Sequence, residues 1–130
     1  MLVPRTKLLV VDDEDVVREV TQGMLEALGY EVLTAASGME AIKLYAEQAS
    51  QIALVLLDMA MPVMDGEKTL EQLRQLDPQT KVIFSSGYLD SGVAQRHSDR
   101  TAVGYIQKPY SVDLLELAVK KALTRFSDEV

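Results

Sequence analysis

The chain has no cysteine, so it carries neither disulfides nor thiolate chemistry, a composition that suits a cytoplasmic protein. It is also short of positive charge: 13 lysines and arginines face 20 aspartates and glutamates, for a net charge of -7. Gripping nucleic acid takes clustered lysine and arginine, so no direct nucleic-acid binding by this chain is expected. Long apolar runs are missing too. The longest, Leu8–Val11 and Ile52–Leu57, fall far short of the ~20 residues that cross a bilayer, so no membrane insertion is expected. Asp12 and Asp13 interrupt the first run before it could serve as a secretory core. The one histidine, His97, has no companion ligand nearby in sequence, which leaves it a structural or solvated role.

What is present reads as one ordinary globular unit spanning residues 1–130, with a core over about 7–126. Five short apolar runs, Leu8–Val11, Val32–Ala36, Ile52–Leu57, Val82–Phe84 and Val103–Ile106, alternate with stretches of helical period. Those stretches are Asp15–Leu28, Met39–Gln48, Glu67–Leu76, roughly Ser91–Ser98, and Val112–Phe126. Nearly continuous apolar strands are those covered on both faces, and strand-helix alternation implies crossover connections. The spacing therefore predicts an α/β domain in which five parallel strands alternate with five helices. Gly29, Ser37, Ser111 and Pro78 fall where helix stops and caps belong. Asp65-Gly66 reads as a turn.

The residues that close these strands are polar. The first strand ends in Asp12-Asp13, the third in Asp58, the fourth in Ser85-Ser86 and the fifth in Lys108-Pro109. In open parallel sheets ligands bind outside the carboxyl ends of the strands, so all these groups reach one edge. Carboxylates crowded there repel one another unless something compensates. Three carboxylates and little else suit a hard cation with oxygen ligands, magnesium first among them. A lysine and a hydroxyl on the same rim add donors for an anion beside the metal, which is the equipment of phosphoryl transfer. With no cysteine and no second base, an aspartate carboxylate is left as the nucleophile.

Four stretches in order, Leu8-Leu9-Val10-Val11-Asp12-Asp13-Glu14, Leu57-Asp58-Met59-Ala60-Met61-Pro62-Val63-Met64-Asp65-Gly66, Ser85-Ser86-Gly87-Tyr88 and Tyr105-Ile106-Gln107-Lys108-Pro109, resemble the receiver domain of two-component response regulators. The resemblance covers nearly the whole chain and implies a doubly wound, flavodoxin-like α/β fold with the five parallel strands in the order 2-1-3-4-5 and five helices. It implies that Asp58 is the phospho-acceptor and that Mg2+ is held by Asp13 directly, by Asp12 partly through water, by Asp58 and by the Ala60 carbonyl. It further implies that Ser86 and Lys108 bind the phosphoryl group, that Tyr105 is an aromatic switch coupled to Ser86, and that the Lys108–Pro109 peptide is cis. The implied partners are a histidine kinase or phosphotransfer domain upstream and a downstream protein or output domain. The surface that changes would lie near the fourth helix, fifth strand and fifth helix. The phrases Ser86-Gly87-Tyr88 and Gln107-Lys108-Pro109-Tyr110 are similar to receivers at the C-termini of hybrid sensor histidine kinases. Such a module is a regulatory domain rather than an enzyme.

Each residue alone also has a plainer reading. Asp13 and Asp15 could simply favour a helix start, Ser86 form a turn, and Tyr105 pack in a strand. The ordered set outweighs these readings. An aspartyl-phosphate phosphatase of the haloacid dehalogenase type would want a second aspartate two residues after the nucleophile, where Ala60 stands. A flavin or nucleotide module would want a glycine-rich loop where Asp12-Asp13-Glu14-Asp15 would repel phosphate. A pseudo-receiver would lack a signature residue, and none is missing. Ala60 and the bulky Tyr88 depart from the commonest family pattern and are expected to restrict the water that hydrolyses the phosphoryl group. In the first helix Val16, Val20, Met24 and Leu28 recur at i, i+4 and are expected to face the sheet. That would leave Glu14, Asp15, Arg18 and Gln22 as a polar face, which the resemblance assigns to docking on the kinase.

Overall fold

A parallel sheet is stable only when both faces are covered, and the chain meets this with two helical layers. The computed structural model describes residues 5–87 and 103–125. Strands β1 (Lys7–Val11), β2 (Glu31–Ala35), β3 (Ile52–Asp58), β4 (Val82–Ser86) and β5 (Val103–Gln107) pair in parallel in the order β2-β1-β3-β4-β5. Helices α1 (Asp15–Ala27), α2 (Gly38–Gln48), α3 (Gly66–Leu76) and α4 (Val112–Arg125) connect or follow them, with a 3-10 turn at Ala49–Gln51. The doubly wound sheet expected from the sequence is thus the one found. The helix expected over Ser91–Ser98, and with it Tyr88 and His97, lies outside the described residues.

Side chains alternate along each strand, so the sheet feeds two cores. Leu9, Val11, Val55, Leu57 and Phe84 point to one face, where Ala41 and Tyr45 of α2 and Leu70 and Leu73 of α3 cover them. Leu8, Val10, Leu54, Leu56, Ile83 and Ile106 point to the other, under Leu25 of α1 and Leu115 and Val119 of α4. Tyr45 is buried to its hydroxyl, which donates to Asp77 at 3.0 Å and accepts from Thr80 at 3.0 Å. A buried phenol needs such partners. Burial, joined by the Asp77 charge, pushes the Tyr45 hydroxyl up to about 12.

Local chemistry sets the helix ends. Ser37 caps α2 by accepting from the Glu40 N–H at 3.1 Å, and Ser111 accepts from the Leu114 N–H at 3.2 Å ahead of α4. Gly29 follows α1 with φ of 101°, a left-handed position that glycine tolerates. One expectation is corrected here. Asp65-Gly66 is not a free turn: Asp65 is the N-cap of α3, accepting from the Lys68 N–H at 2.9 Å, and Gly66 is the first helical residue.

A second correction concerns α1. Val16 and Val20 do not face the sheet; they are 72% and 51% exposed. Thr21 and Leu25 are the buried residues, flanked by half-buried Val17, Met24 and Leu28. Two neighbouring rows of this helix are apolar, and they differ by one residue, about 100° around the axis. Thr21 disguises the inner row in sequence. Its hydroxyl is satisfied by the Tyr110 hydroxyl at 2.7 Å, which removes the penalty of burying it.

Candidate functional site

The sheet order places β1 between β2 and β3, so the chain leaves β1 and β3 toward opposite faces and opens a crevice at their C-terminal ends. Asp12 follows β1 directly and Asp58 is the last residue of β3; the register aligns Val11 with Leu57 and Asp58 with Ser85. Lys108 follows β5, and its backbone N–H donates to the Ser86 carbonyl at 2.7 Å, which sets the end of β4 beside it. The lysine then reaches back across the crevice. Its Nζ lies 2.7 Å from Asp12 Oδ2 and 3.4 Å from Asp58 Oδ1.

Every polar group of Asp12 is engaged. Its N–H donates to Ala35 at 3.1 Å, Oδ1 accepts from the Glu14 N–H at 2.9 Å, Oδ2 accepts from Lys108, and its carbonyl accepts from Arg18 Nη1 at 2.7 Å. Asp58 Oδ1 accepts from the Ala60 N–H at 3.2 Å. Asp12 and Asp58 are each only 3% exposed, whereas Asp13 stands open to solvent. One oxygen from each of these three carboxylates lies within 4.8 Å of the others.

This geometry is electrostatically unbalanced. Burial, then the neighbouring Asp12 charge, pushes the Asp58 carboxyl up to about 6, against the pull of Lys108 and the Ala60 N–H. Burial draws the Lys108 ammonium down, but its hydrogen bond to Asp12 and the charges of Asp58 and Asp12 more than offset this and hold it above its ordinary value. One ammonium cannot neutralise three carboxylates. A hard divalent cation with oxygen ligands fits the remaining deficit and the all-oxygen donor set, and Mg2+ satisfies both. Asp12, Asp13 and Asp58 are the side chains that could hold it, with exposed Ala60 beside them.

The other residues singled out in the sequence sit around this centre. Ser86 is half-buried at the end of β4, and Tyr105 is half-buried on β5 with its ring 5.9 Å from that of Phe84. The Lys108–Pro109 peptide is cis. Glu14 and Asp15 are exposed, and Gln22 donates to Glu26 at 3.3 Å. Arg18 is not a free surface charge. Its guanidinium turns back to the Asp12 carbonyl and pairs with Asp15, leaving the side chain 16% exposed.

Three features of the site escape sequence reasoning. Arg18 ties α1 to Asp12, and the Thr21–Tyr110 pair ties α1 to the loop carrying Lys108. Beside them Val16, Val17, Val20, Thr21, Met24 and Tyr110 line a groove of about 200 Å³ that also touches Lys108 and Pro109. The outward valines at i and i+4 are the available signal. Spacing alone sends them to the core, because nothing in the sequence marks Thr21 as buried.

A parallel sheet with carboxylates and a lysine gathered at the mouth of its switch point defines a doubly wound α/β module with a charged crevice. The chain belongs to the response regulator receiver domain family, whose sequence model matches residues 8–120. It is 37% identical over 118 residues to the sensor kinase CckA of Brucella abortus, covering 91% of this chain and 12% of that protein. It is 32% identical over 117 residues to sporulation initiation phosphotransferase F of Bacillus subtilis, covering 90% of this chain and 93% of that one. The crystal structure of a response regulator receiver domain protein from Clostridium thermocellum superposes with a TM-score of 0.86 at 31% identity, covering 96% of this chain and 99% of the other. Two further regulatory proteins, TtrR and AtoC, are spanned over 54% and 25% of their lengths. The chain is thus a phospho-accepting switch module of two-component signalling. Among the described residues no helix is long and apolar enough to cross a membrane.

Proposed function

We propose that the carboxylate of Asp58 is the phospho-acceptor and that Asp12, Asp13, Asp58 and the Ala60 carbonyl hold Mg2+. The observation that carries this reading is the trio of carboxylates within 4.8 Å of one another, bridged at Asp12 and Asp58 by Lys108. An ionised Asp58 oxygen attacks phosphorus; the bond from phosphorus to the donor breaks, and the donor leaves with that electron pair. A bound Mg2+ would supply charge neutralisation for the phosphoryl oxygens. Lys108 and the Ser86 hydroxyl donate hydrogen bonds to the transferred group, and Tyr105 follows Ser86 as the switch. The resulting shift is a population change biased by these new contacts and read by a downstream protein or output domain.

The module acts as one regulatory domain in the cytoplasm, without catalytic turnover of an outside substrate and without nucleic-acid or membrane contacts of its own. It serves alone or as the receiver part of a larger protein such as a hybrid histidine kinase. The test is mass spectrometry after incubation with acetyl phosphate. The expected result is one added phosphoryl group, mapped to Asp58, lost in EDTA and absent from Asp58→Asn. Labelling at another residue, or undiminished labelling without a divalent cation, overturns the assignment.

The phosphodonor surface takes in the polar residues Glu14, Asp15, Arg18 and Gln22 and extends to the groove along α1. Glu14 and Asp15 supply an exposed acidic rim, but exposed Val16 and Val20 with half-buried Met24 offer the apolar area. A histidine kinase or phosphotransfer domain presenting apolar residues on a helix pair would seat there, beside Lys108. Burying two valines is worth several kcal/mol, while rim charges mainly set encounter rate. Val20→Asp is expected to slow transfer from a phosphohistidine donor protein at least about tenfold, the cost of an unpaired charge in an apolar contact. Acetyl phosphate labelling should stay as in wild type. Equal slowing with both donors would place the damage in the acceptor site instead.

A further inference from the structure

We infer that Arg18 is a positioning residue for the cation site, acting by locking the peptide plane between Asp12 and Asp13. This rests on the cation reading proposed above. Arg18 lies in the first turn and a half of α1, six residues after Asp12. Its Nη1 donates to the Asp12 carbonyl oxygen at 2.7 Å. That oxygen belongs to the peptide joining Asp12 to Asp13, the two adjacent carboxylates of the cluster.

The two aspartates are held very differently. Asp12 is fixed on every side by Ala35, Glu14 and Lys108. Asp13 is exposed, and its side chain meets Asp58 across the acid cluster. The direction in which Asp13 projects therefore depends on the rotation of the preceding peptide. A peptide plane can turn by compensating changes in ψ of one residue and φ of the next while its flanking Cα atoms barely move. A hydrogen bond from a guanidinium to the carbonyl opposes that turn, and charge-assisted bonds are the stronger kind. Arg18 is itself held: Asp15 pairs with its other nitrogen, and the helix fixes its Cα. The constraint thus runs from a helix through a guanidinium to a peptide and so to the Asp13 carboxylate. A surface ion pair between Asp15 and Arg18 would account for the Nη2 contact alone, not for the buried reach of Nη1.

Groups that orient metal ligands without touching the metal typically contribute 10–100-fold to affinity, and a contact made through the backbone belongs at the lower end. The test is titration of Mg2+ into the intact chain, followed by the NMR amide shifts of Asp13 and Ala60 at low temperature. Wild type sets the reference; if it does not bind Mg2+, the cation reading itself falls. In Arg18→Met, which removes both donor and charge, the dissociation constant is expected to rise about tenfold. Arg18→Lys keeps the charge but loses the forked planar donor, and its dissociation constant is expected to rise by more than half of that factor on a logarithmic scale. If Arg18→Met binds Mg2+ within twofold of wild type, or more tightly, the peptide lock is overturned; losing a positive charge beside a cation site by itself strengthens binding, so weaker binding by Arg18→Met is not a charge effect. An Asp13 amide shift in the metal-free variants larger than that of Glu31, on the far side of the molecule, is the accompanying signature of a turned peptide.

Discussion

Replacing Asp58 by Asn will make the metal-free protein more stable at neutral pH even as it abolishes phosphorylation. The folded carboxyl titrates at about 6 because it is buried and lies near Asp12, against 3.8 in the unfolded chain. Between these two values the folded state binds the extra proton, so rising pH costs the wild type stability across that window. Well below pH 4 the group is protonated in both states and the penalty vanishes. Above about 6 it is fully present, roughly 2–3 kcal/mol at about 1.4 kcal/mol for each tenfold change in proton affinity, with Lys108 already included in the balance. An asparagine in this place cannot ionise, and it leaves Lys108 its pairing with Asp12 at 2.7 Å. Thermal melts in EDTA should therefore nearly coincide around pH 4 and separate to roughly 5–10 °C in favour of the variant at pH 7–8. Added Mg2+ should narrow the gap by stabilising the wild type alone. Parallel melting curves at every pH would show that the buried carboxylate carries no such strain.

Gly66→Ala should be the most damaging conservative change outside the acid cluster. An added Cβ would stand 2.6 Å from the Asp58 carbonyl oxygen and 2.9 Å from the Met59 Cα, both backbone atoms that cannot rotate away. The contact also carries a hydrogen bond, from the Gly66 N–H to the Met59 carbonyl at 2.9 Å. Relief requires moving α3 or the end of β3, and overpacking of this kind costs about 1–3 kcal/mol or more. Moving β3 also moves Asp58, so the acetyl phosphate labelling rate should fall along with stability. Gly23→Ala is the contrasting case. It sits inside α1 with nothing beyond its chain neighbours and the local helix backbone within 4 Å of a new Cβ, and alanine there should add about 0.5–1 kcal/mol by removing backbone freedom. Chemical denaturation of both variants separates the two outcomes by sign. A Gly66→Ala protein as stable as wild type would mean that the β3–α3 connection yields freely.

These cases also show where the sequence is readable. Strand positions are plain because double burial forces continuous apolar residues, and the acids at the strand ends stand out against them. Asp12 and Asp13 look alike in sequence, yet one is sealed by its partners and the other is open, a difference that only the turn into α1 creates. Thr21 hides the inner row of α1 because its hydroxyl partner, Tyr110, lies 89 residues away. Arg18 reads as a solvated charge for a similar reason, since a side chain folding back onto a main-chain carbonyl leaves no mark in residue spacing. Gly66 resembles a turn glycine, and the crowding that requires it comes from the backbone of Asp58 and Met59 at the end of β3. What spacing misses is in each case a contact made by one atom across the fold rather than by a repeating face.

The bridge from Lys108 to Asp12 spans 96 residues. Closing so long a loop early is entropically unfavourable, so this contact forms only when the sheet is nearly built. During synthesis the first four strands leave the ribosome before β5, with the acidic residues clustered and their counter-charge not yet delivered. The acid cluster of a nascent chain therefore lacks its lysine until β5 has been made, and a cut anywhere between β1 and β5 yields pieces that each hold only part of the centre. The counter-charge for the acid cluster arrives with β5, and the fold closes only when α4 has laid Leu115 and Val119 over the second core.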